Sequence, residues 1–207
     1  MKKIVLMFII VVLLFFLIPI VFSRKFKIME TSVSENIEIE EIKIDEPYSY
    51  SDFITIKLLQ ADTGEIQELN IEQYLYNVVS AEMPANFNEE ALKAQAVVAR
   101  TYTIYTMTNN KKHENADICD SPSCCQAWIS KEEIFERWEE NLREEFWNKI
   151  VNAVNSTVGE IITYEGNIIN AVYHANSGGI TEKANFVWEG KEYPYLQSVE
   201  TSRRRRL

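Results

Sequence analysis

Cysteine is scarce and confined: the 207-residue chain has three, all between Cys119 and Cys125. That excludes a disulfide framework spread over the chain and makes a local metal or redox cluster the first reading. Basic residues are also few, 21 against 31 acidic for a net charge of −10, and they form no long stripe before the arginines at 203–206. This argues against nucleic acid as a partner, and an acidic surface mainly favours solubility. Internal repeats and low-complexity runs are absent before those arginines. What is present is a composition 46% hydrophobic and 12% aromatic, ample for the packed core of one domain with appendages.

The long apolar run sits at the start. Residues 4–22 are apolar apart from Pro19 and follow Lys2 and Lys3. At a rise of about 1.5 Å per residue they come close to spanning a hydrocarbon core of about 30 Å. The run is long for a signal peptide and its exit, Val21-Phe22-Ser23, is a poor cleavage site. An uncleaved membrane anchor over 1–27 is therefore expected rather than a removed signal. Arg24, Lys25 and Lys27 rival Lys2 and Lys3, so charge counting alone does not orient it. An acidic stalk over 28–52 follows, with an edge strand at Ile37, Ile39, Ile42 and Ile44 if a bulge falls at Glu40-Glu41.

The folded domain is expected over 53–200. FITIKLL at 53–59 reads as a strand, Asp62-Thr63-Gly64 as a turn, and 65–69 as the returning strand of a hairpin. Asn70 can cap a helix reaching about Ala81, with Tyr74, Leu75, Val78 and Val79 on one face. Met83 precedes Pro84 and is pushed out of the helical region, which stops the helix near Glu82. Asn88 can cap a second helix to about Met107, whose Ala91, Ala94, Val98, Tyr102 and Tyr105 share one face while Val97, Ile104 and Met107 lie on the other, so that it is covered on two sides. A cysteine-bearing loop over 109–126 leads to an amphipathic helical region at 131–154, broken near Asn141, whose aromatics read as core. Strands at 160–164 and 168–174 around Glu165-Gly166-Asn167 form a second hairpin, with His174 as a strand residue and Ser177-Gly178-Gly179 beyond.

Glu82 is the residue that asks for a chemical reading. At a helix C-terminus it meets the negative end of the helix dipole and unpaired carbonyls, and both disfavour its anion. A general acid needs such a setting; a solvated glutamate in a helix-ending turn is the plain alternative. On the second helix Lys93 and Arg100 lie seven apart, with Glu89 four before Lys93, which reads as a surface ion-pair row. Gln95 falls on the apolar face and, if buried, must find hydrogen-bond partners. His113, Cys119 and Cys125 have spacings compatible with zinc.

The stretch AEMPANFNEEALKAQAVVARTY, from Ala81 to Tyr102, closely resembles the signature of the stage II sporulation protein D family. These are membrane-anchored lytic transglycosylases of endospore-forming bacteria, and their domain is shared with LytB-type amidase enhancers. ADICDSPSCCQAW resembles the family's cysteine loop, and ANSGGITEKANFVWEGKEYPYLQSV its SGG-to-PYL segment, so the likeness covers roughly 53–199. The resemblance implies an α+β fold, a helical catalytic core flanked by β-hairpins and a small sheet behind one N-terminal transmembrane helix. It implies that Glu82 is the catalytic acid/base, with Lys93, Gln95 and Arg100 in the site and Ser177, Gly178 and Gly179 holding sugar groups.

The implied reaction is cleavage of peptide-stripped peptidoglycan glycan to 1,6-anhydro-N-acetylmuramic acid ends during engulfment. The implied location is the cell membrane, single-pass with the domain outside, among other cell-wall remodelling proteins. A non-catalytic glycan-binding enhancer of a wall amidase is the rival reading. Some relatives bind zinc in the cysteine loop at the positions of His113, Cys119, Cys124 and Cys125, where Cys124 replaces a histidine. One structural zinc is thus expected, with a Cys119–Cys125 disulfide as its competitor. Relatives continue well past the PYL segment, whereas this sequence ends in a non-family basic tail at 201–207; a C-terminally truncated domain, and with it an inactive fragment, stands as a third expectation.

Overall fold

The computed structural model describes residues 50–187 and 192–201, all within the compact unit Glu46–Leu207, and there two asparagines start the central helices by the same contact. Asn70 Oδ1 accepts from Glu72 N–H at 2.9 Å and Asn88 Oδ1 from Glu90 N–H at 2.9 Å, each satisfying a donor that the first helical turn leaves unpaired. The first helix, α1 (Ile71–Glu82), ends where Met83 turns extended at φ −137° and ψ 135° ahead of Pro84, as the sequence implies. The second, α2, runs Glu89–Asn109.

Before them lie a 3-10 turn at Tyr50–Phe53 and two antiparallel strands, β1 (Thr55–Leu59) and β2 (Ile66–Asn70), in register Thr55 to Asn70 and Leu59 to Ile66. Strand β1 alternates, with Ile56 and Leu58 fully buried, whereas β2 is an exposed edge. The cysteine loop was expected to lack regular structure. It contains β3 (Ile118–Cys119), which pairs parallel with β1 and completes the order β2-β1-β3. Two residues are too short for a periodic signal.

Beyond the loop, α3 (Lys131–Arg137) opens on a capping box made by Ser130 and Glu133, and the expected break is a 3-10 turn at Glu140–Leu142 before α4 (Arg143–Asn155). The aromatics of this region, expected in the core, are half-buried: Trp138 and Phe146 pack against the core and meet at 5.6 Å, and Trp147 meets Tyr76 and Phe135 at 6.0 Å. The second hairpin is β4 (Thr163–Tyr164) and β5 (Asn167–Ile168). Its two-residue turn has positive φ at both Glu165 and Gly166, the mirror-image geometry that tight hairpins favour. The strand expected over 168–174 stops at Ile168 because the backbone then bonds elsewhere: Asn170 N–H donates to Tyr195 Oη at 3.1 Å and Val172 N–H to Asn170 O at 2.9 Å. A short α5 (Ala184–Val187) completes five helices among the described residues. The fold is α+β, as expected, and none of the described helices is long and apolar enough to cross a membrane. The anchor at 1–27, the stalk strand near 37–44 and the arginines at 203–206 lie outside the described residues.

Helix α2 packs against both α1 and α4, covered on two sides as expected, with Tyr102 and Ile104 buried, but the buried set is not the expected one throughout. Leu92, Ala96, Ala99 and Thr103 are buried, whereas Ala94 is exposed. Small and apolar residues surround this helix, so periodicity has little contrast from which to choose a side. Arg100 departs further. It is not in a surface row with Lys93 but fully buried, its Nη2 2.7 Å from Glu72 Oε2. Its other protons go to Val154 O and Thr157 Oγ1. A guanidinium fork can serve one carboxylate and several carbonyls at once. Removing either charge leaves the other buried and unpaired, so Arg100→Ala or Glu72→Ala should cost about 3–5 kcal/mol in urea unfolding, with much of it recovered in an apolar Arg100→Met/Glu72→Leu pair.

Candidate active site and cysteine cluster

Because α1 ends at Glu82 and Pro84 turns the chain away, the glutamate stands at the rim of a cleft of about 730 Å³. The walls come from α2 through Gln95 and Tyr102, from the cysteine loop through Lys112 and Cys124, and from Tyr173 and His174. Glu82 is half-buried, and its Oε1 accepts the backbone N–H of Ala127 at 2.8 Å. It is therefore tied to the cysteine loop rather than free in solvent.

Behind the cleft wall lies a buried polar network centred on Gln126, 2% exposed. Its Nε2 donates to Tyr74 Oη at 3.0 Å and to Thr103 Oγ1 at 2.8 Å, and its Oε1 accepts from Tyr173 Oη at 3.2 Å. Burial, then the Glu82 charge and a hydrogen bond to it, push the Tyr173 phenol far up, which keeps it a neutral O–H group. Burial likewise pushes the Tyr74 phenol up.

The expected site residues separate. Gln95 shares the cleft with Glu82, and its Nε2 is buried without a partner among the described residues. Lys93 instead pairs with Glu89 at 3.0 Å and Glu90 at 2.8 Å, off the cleft. Arg100 is enclosed in the core and reaches the cleft only through packing. Ser177 Oγ lies 2.9 Å from Thr201 Oγ1 and accepts from Gly179 N–H, whose own carbonyl accepts from Thr201 N–H at 2.8 Å. Ser177, Gly178 and Gly179 thus hold the last described segment and do not line the cleft. His174, expected in a strand, is exposed on the cleft wall.

The ligand atoms of His113, Cys119, Cys124 and Cys125 all lie within 4.8 Å of one another. Cys124 Sγ and Cys125 Sγ are each 3.7 Å from His113 Nε2 and 3.8 Å from each other. A tetrahedral ion with metal–sulfur bonds of about 2.3 Å sets its ligand atoms about 3.8 Å apart, so the cluster could hold a metal. The three cysteines are unpaired, and the competing Cys119–Cys125 disulfide is not formed. Burial pushes the Cys125 thiol up to about 12 and the Cys119 thiol up as well, so a bound cation would have to displace their protons. Cys125, Gln126 and Ala127 are consecutive; whatever fixes Cys125 also fixes the N–H that meets Glu82.

An α+β domain with a cleft glutamate at a helix end, braced by a histidine–cysteine loop, defines the class. The model of the family described as Stage II sporulation protein, SpoIID, matches residues 60–164, more than half of the chain, and the chain belongs to this family. Among relatives, Stage II sporulation protein D of Bacillus amyloliquefaciens is 33% identical over 165 residues, 79% of this chain and 47% of that protein. Its Bacillus subtilis counterpart is 35% identical over 150 residues, 72% of this chain and 43% of that protein. The Amidase enhancer of Bacillus subtilis is 34% identical over 123 residues, 59% of this chain and 14% of that protein. The chain spans about half the length of the first two.

Sequence reasoning missed Ala127, Gln126 and Tyr173. A backbone N–H leaves no mark in a sequence, and Tyr173 was hidden in a presumed strand; only Gln126, a polar residue directly after two cysteines, carried a signal. Because its amide meets four partners, Tyr74, Thr103, Tyr173 and the Ala99 carbonyl, Gln126→Leu should lower stability by about 1–3 kcal/mol, read by thermal unfolding.

Proposed function

We propose that this chain is a lytic transglycosylase that cleaves peptide-stripped peptidoglycan glycan during sporulation. The observation that carries the reading is a solitary acid: Glu82 is the one carboxylate among the described residues lining the cleft. A glycoside hydrolase needs two carboxyl groups within about 5–9.5 Å, one to protonate the leaving oxygen and one to act as nucleophile or base. A transglycosylase that closes the 6-hydroxyl of N-acetylmuramic acid onto its own anomeric carbon needs one. Glu82 first gives its proton to the glycosidic oxygen as the C1–O bond breaks. As carboxylate it then takes the 6-hydroxyl proton as the O6–C1 bond forms, leaving a 1,6-anhydro end and a regenerated acid. Gln95, whose buried N–H lacks a partner among the described residues, could donate to a sugar acetamido or hydroxyl oxygen. Glu82→Gln should abolish release of anhydro-muramic ends from peptide-free glycan while leaving glycan binding in place; retained turnover would remove Glu82 from the role.

The family relation to an Amidase enhancer favours a second reading, in which the same cleft only holds glycan while a wall amidase is stimulated. Stimulation of an amidase by wild-type protein that itself yields no anhydro ends would select it. We place the domain outside the cell on a single membrane anchor, next to the wall it acts on. His113, Cys119, Cys124 and Cys125 would hold a structural zinc, since four protein ligands leave no open position for substrate. Elemental analysis of reduced protein should find about one zinc per chain, lost in His113→Ala; metal-free protein with a Cys119–Cys125 disulfide would reject the site.

A further inference from the structure

Lys112 has no part in the reaction as written above, yet it lines the cleft that holds Glu82. Among the described residues of that cleft it is the one lysine or arginine, as Glu82 is the one carboxylate. Its ammonium is held in place: Nζ donates to Tyr102 Oη at 3.0 Å and to the carbonyl of Cys124. An ammonium has three protons, so one remains for an acceptor from outside. Tyr102 Oη, accepting from Lys112, keeps its own proton for the same use. Tyr102 follows Gln95 by seven residues on α2 and both line the cleft, two turns and about 10 Å apart along the helix axis. The ammonium and phenol therefore form a position separate from the Gln95 amide.

Two donors side by side, one of them charged, suit an anion better than a neutral acceptor. Glycan freed of its stem peptides supplies that anion. The lactyl group on O3 of N-acetylmuramic acid ends in a carboxylate once the peptide is gone, and in an uncharged amide while the peptide is present. A local cation is needed in any case. The chain carries a net charge of −10 and Glu82 faces the cleft, so a polyanionic glycan would otherwise be repelled. We propose that Lys112 and Tyr102 form an anion subsite that takes the free lactyl carboxylate and so selects peptide-stripped glycan. Lys112 supplies a charge-assisted hydrogen bond and Tyr102 a second one. Because Tyr102 and Cys124 already hold the ammonium, it loses little freedom when the carboxylate arrives. The proposal rests on the glycan reading of the cleft and concerns which glycan enters, not how the bond breaks.

The test gives the full chain peptide-free glycan and the same glycan with its lactyl carboxyl groups converted to methylamides. Binding is measured by calorimetry in a Glu82→Gln background, where the glycan stays whole. The acid should bind about 10- to 10²-fold more tightly than the amide, the worth of a hydrogen bond to a charged group. Adding Lys112→Met should bring that ratio to about one, and adding Tyr102→Phe should lower it only by about threefold, since a neutral donor is lost and the charge stays. Should Lys112→Met not fold, Lys112→Gln keeps an N–H for the Cys124 carbonyl without the charge and should remove the preference in the same way. Equal binding of acid and amide, or a preference that survives the loss of the Lys112 charge, overturns the subsite; release of anhydro ends by the wild-type chain would still uphold the transglycosylase reading. A wild-type chain that releases none, while the preference is present and depends on Lys112, overturns that reading and leaves the subsite in a cleft that only holds glycan.

Discussion

The fold depends on one buried charge. Arg100, in the middle of α2, has no exposed surface and sends its guanidinium protons to Glu72 on α1, to Val154 O at the end of α4, and to Thr157 Oγ1 and Glu160 O beyond it. Tyr50, from the turn that precedes β1, completes the set by donating to Glu72 Oε1. Burial and that hydrogen bond push its phenol up to about 12. Desolvating such a pair is costly, and its worth lies less in net stability than in the single geometry it permits. Because Glu72 lies in the first turn of α1, the pair fixes that helix against α2 and α4. The far end of the same helix carries Glu82.

The second constraint acts at that far end. A helix terminus alone would leave the Glu82 side chain free to choose rotamers, but the Ala127 N–H holds one oxygen and Gln126 anchors the loop that supplies it. Gln126 in turn is held by α1 through Tyr74 and by α2 through Thr103 and Ala99. The cysteine cluster begins one residue earlier. A loop of this length has little apolar area with which to fix itself, so its position comes from side-chain bonds at Gln126 and from the histidine–cysteine cluster. An acid that must meet a glycosidic oxygen needs that precision, because misplacement by about 1 Å costs about 10²-fold in rate.

What could be read in the sequence was local. Asn70 and Asn88 as caps, the stop before Pro84, the break near Asn141 and the turn at Glu165-Gly166 depend on neighbours within a few residues, and each lies where expected. Cys119, Cys124, Cys125 and His113 were also recognisable as a set. The misreadings were non-local. Strand β3 exists because β1 offers it an edge. The strand expected to reach His174 ends because Tyr195 takes its backbone donor. The orientation of α2 was decided by α1 and α4 rather than by a helix whose faces differ little. Tyr173 and Ala127 acquire meaning only when three separate segments close around Glu82.

The motif from Ala81 to Tyr102 therefore mixes two kinds of residue that spacing cannot separate. Lys93 and Arg100 lie seven apart and should point the same way, yet one carries an exposed ion pair and the other sits in the core, because the elements flanking α2 cover its two halves unequally. Gln95 alone of the three lines the cleft with Glu82. A loss of activity on changing Arg100 would follow from α1 losing its anchor before any contact with substrate is considered, whereas a loss on changing Gln95 at unaltered stability would concern the cleft itself. The distinction between support and contact has to be drawn by measuring folding and turnover on the same variant, since the motif presents both as one pattern.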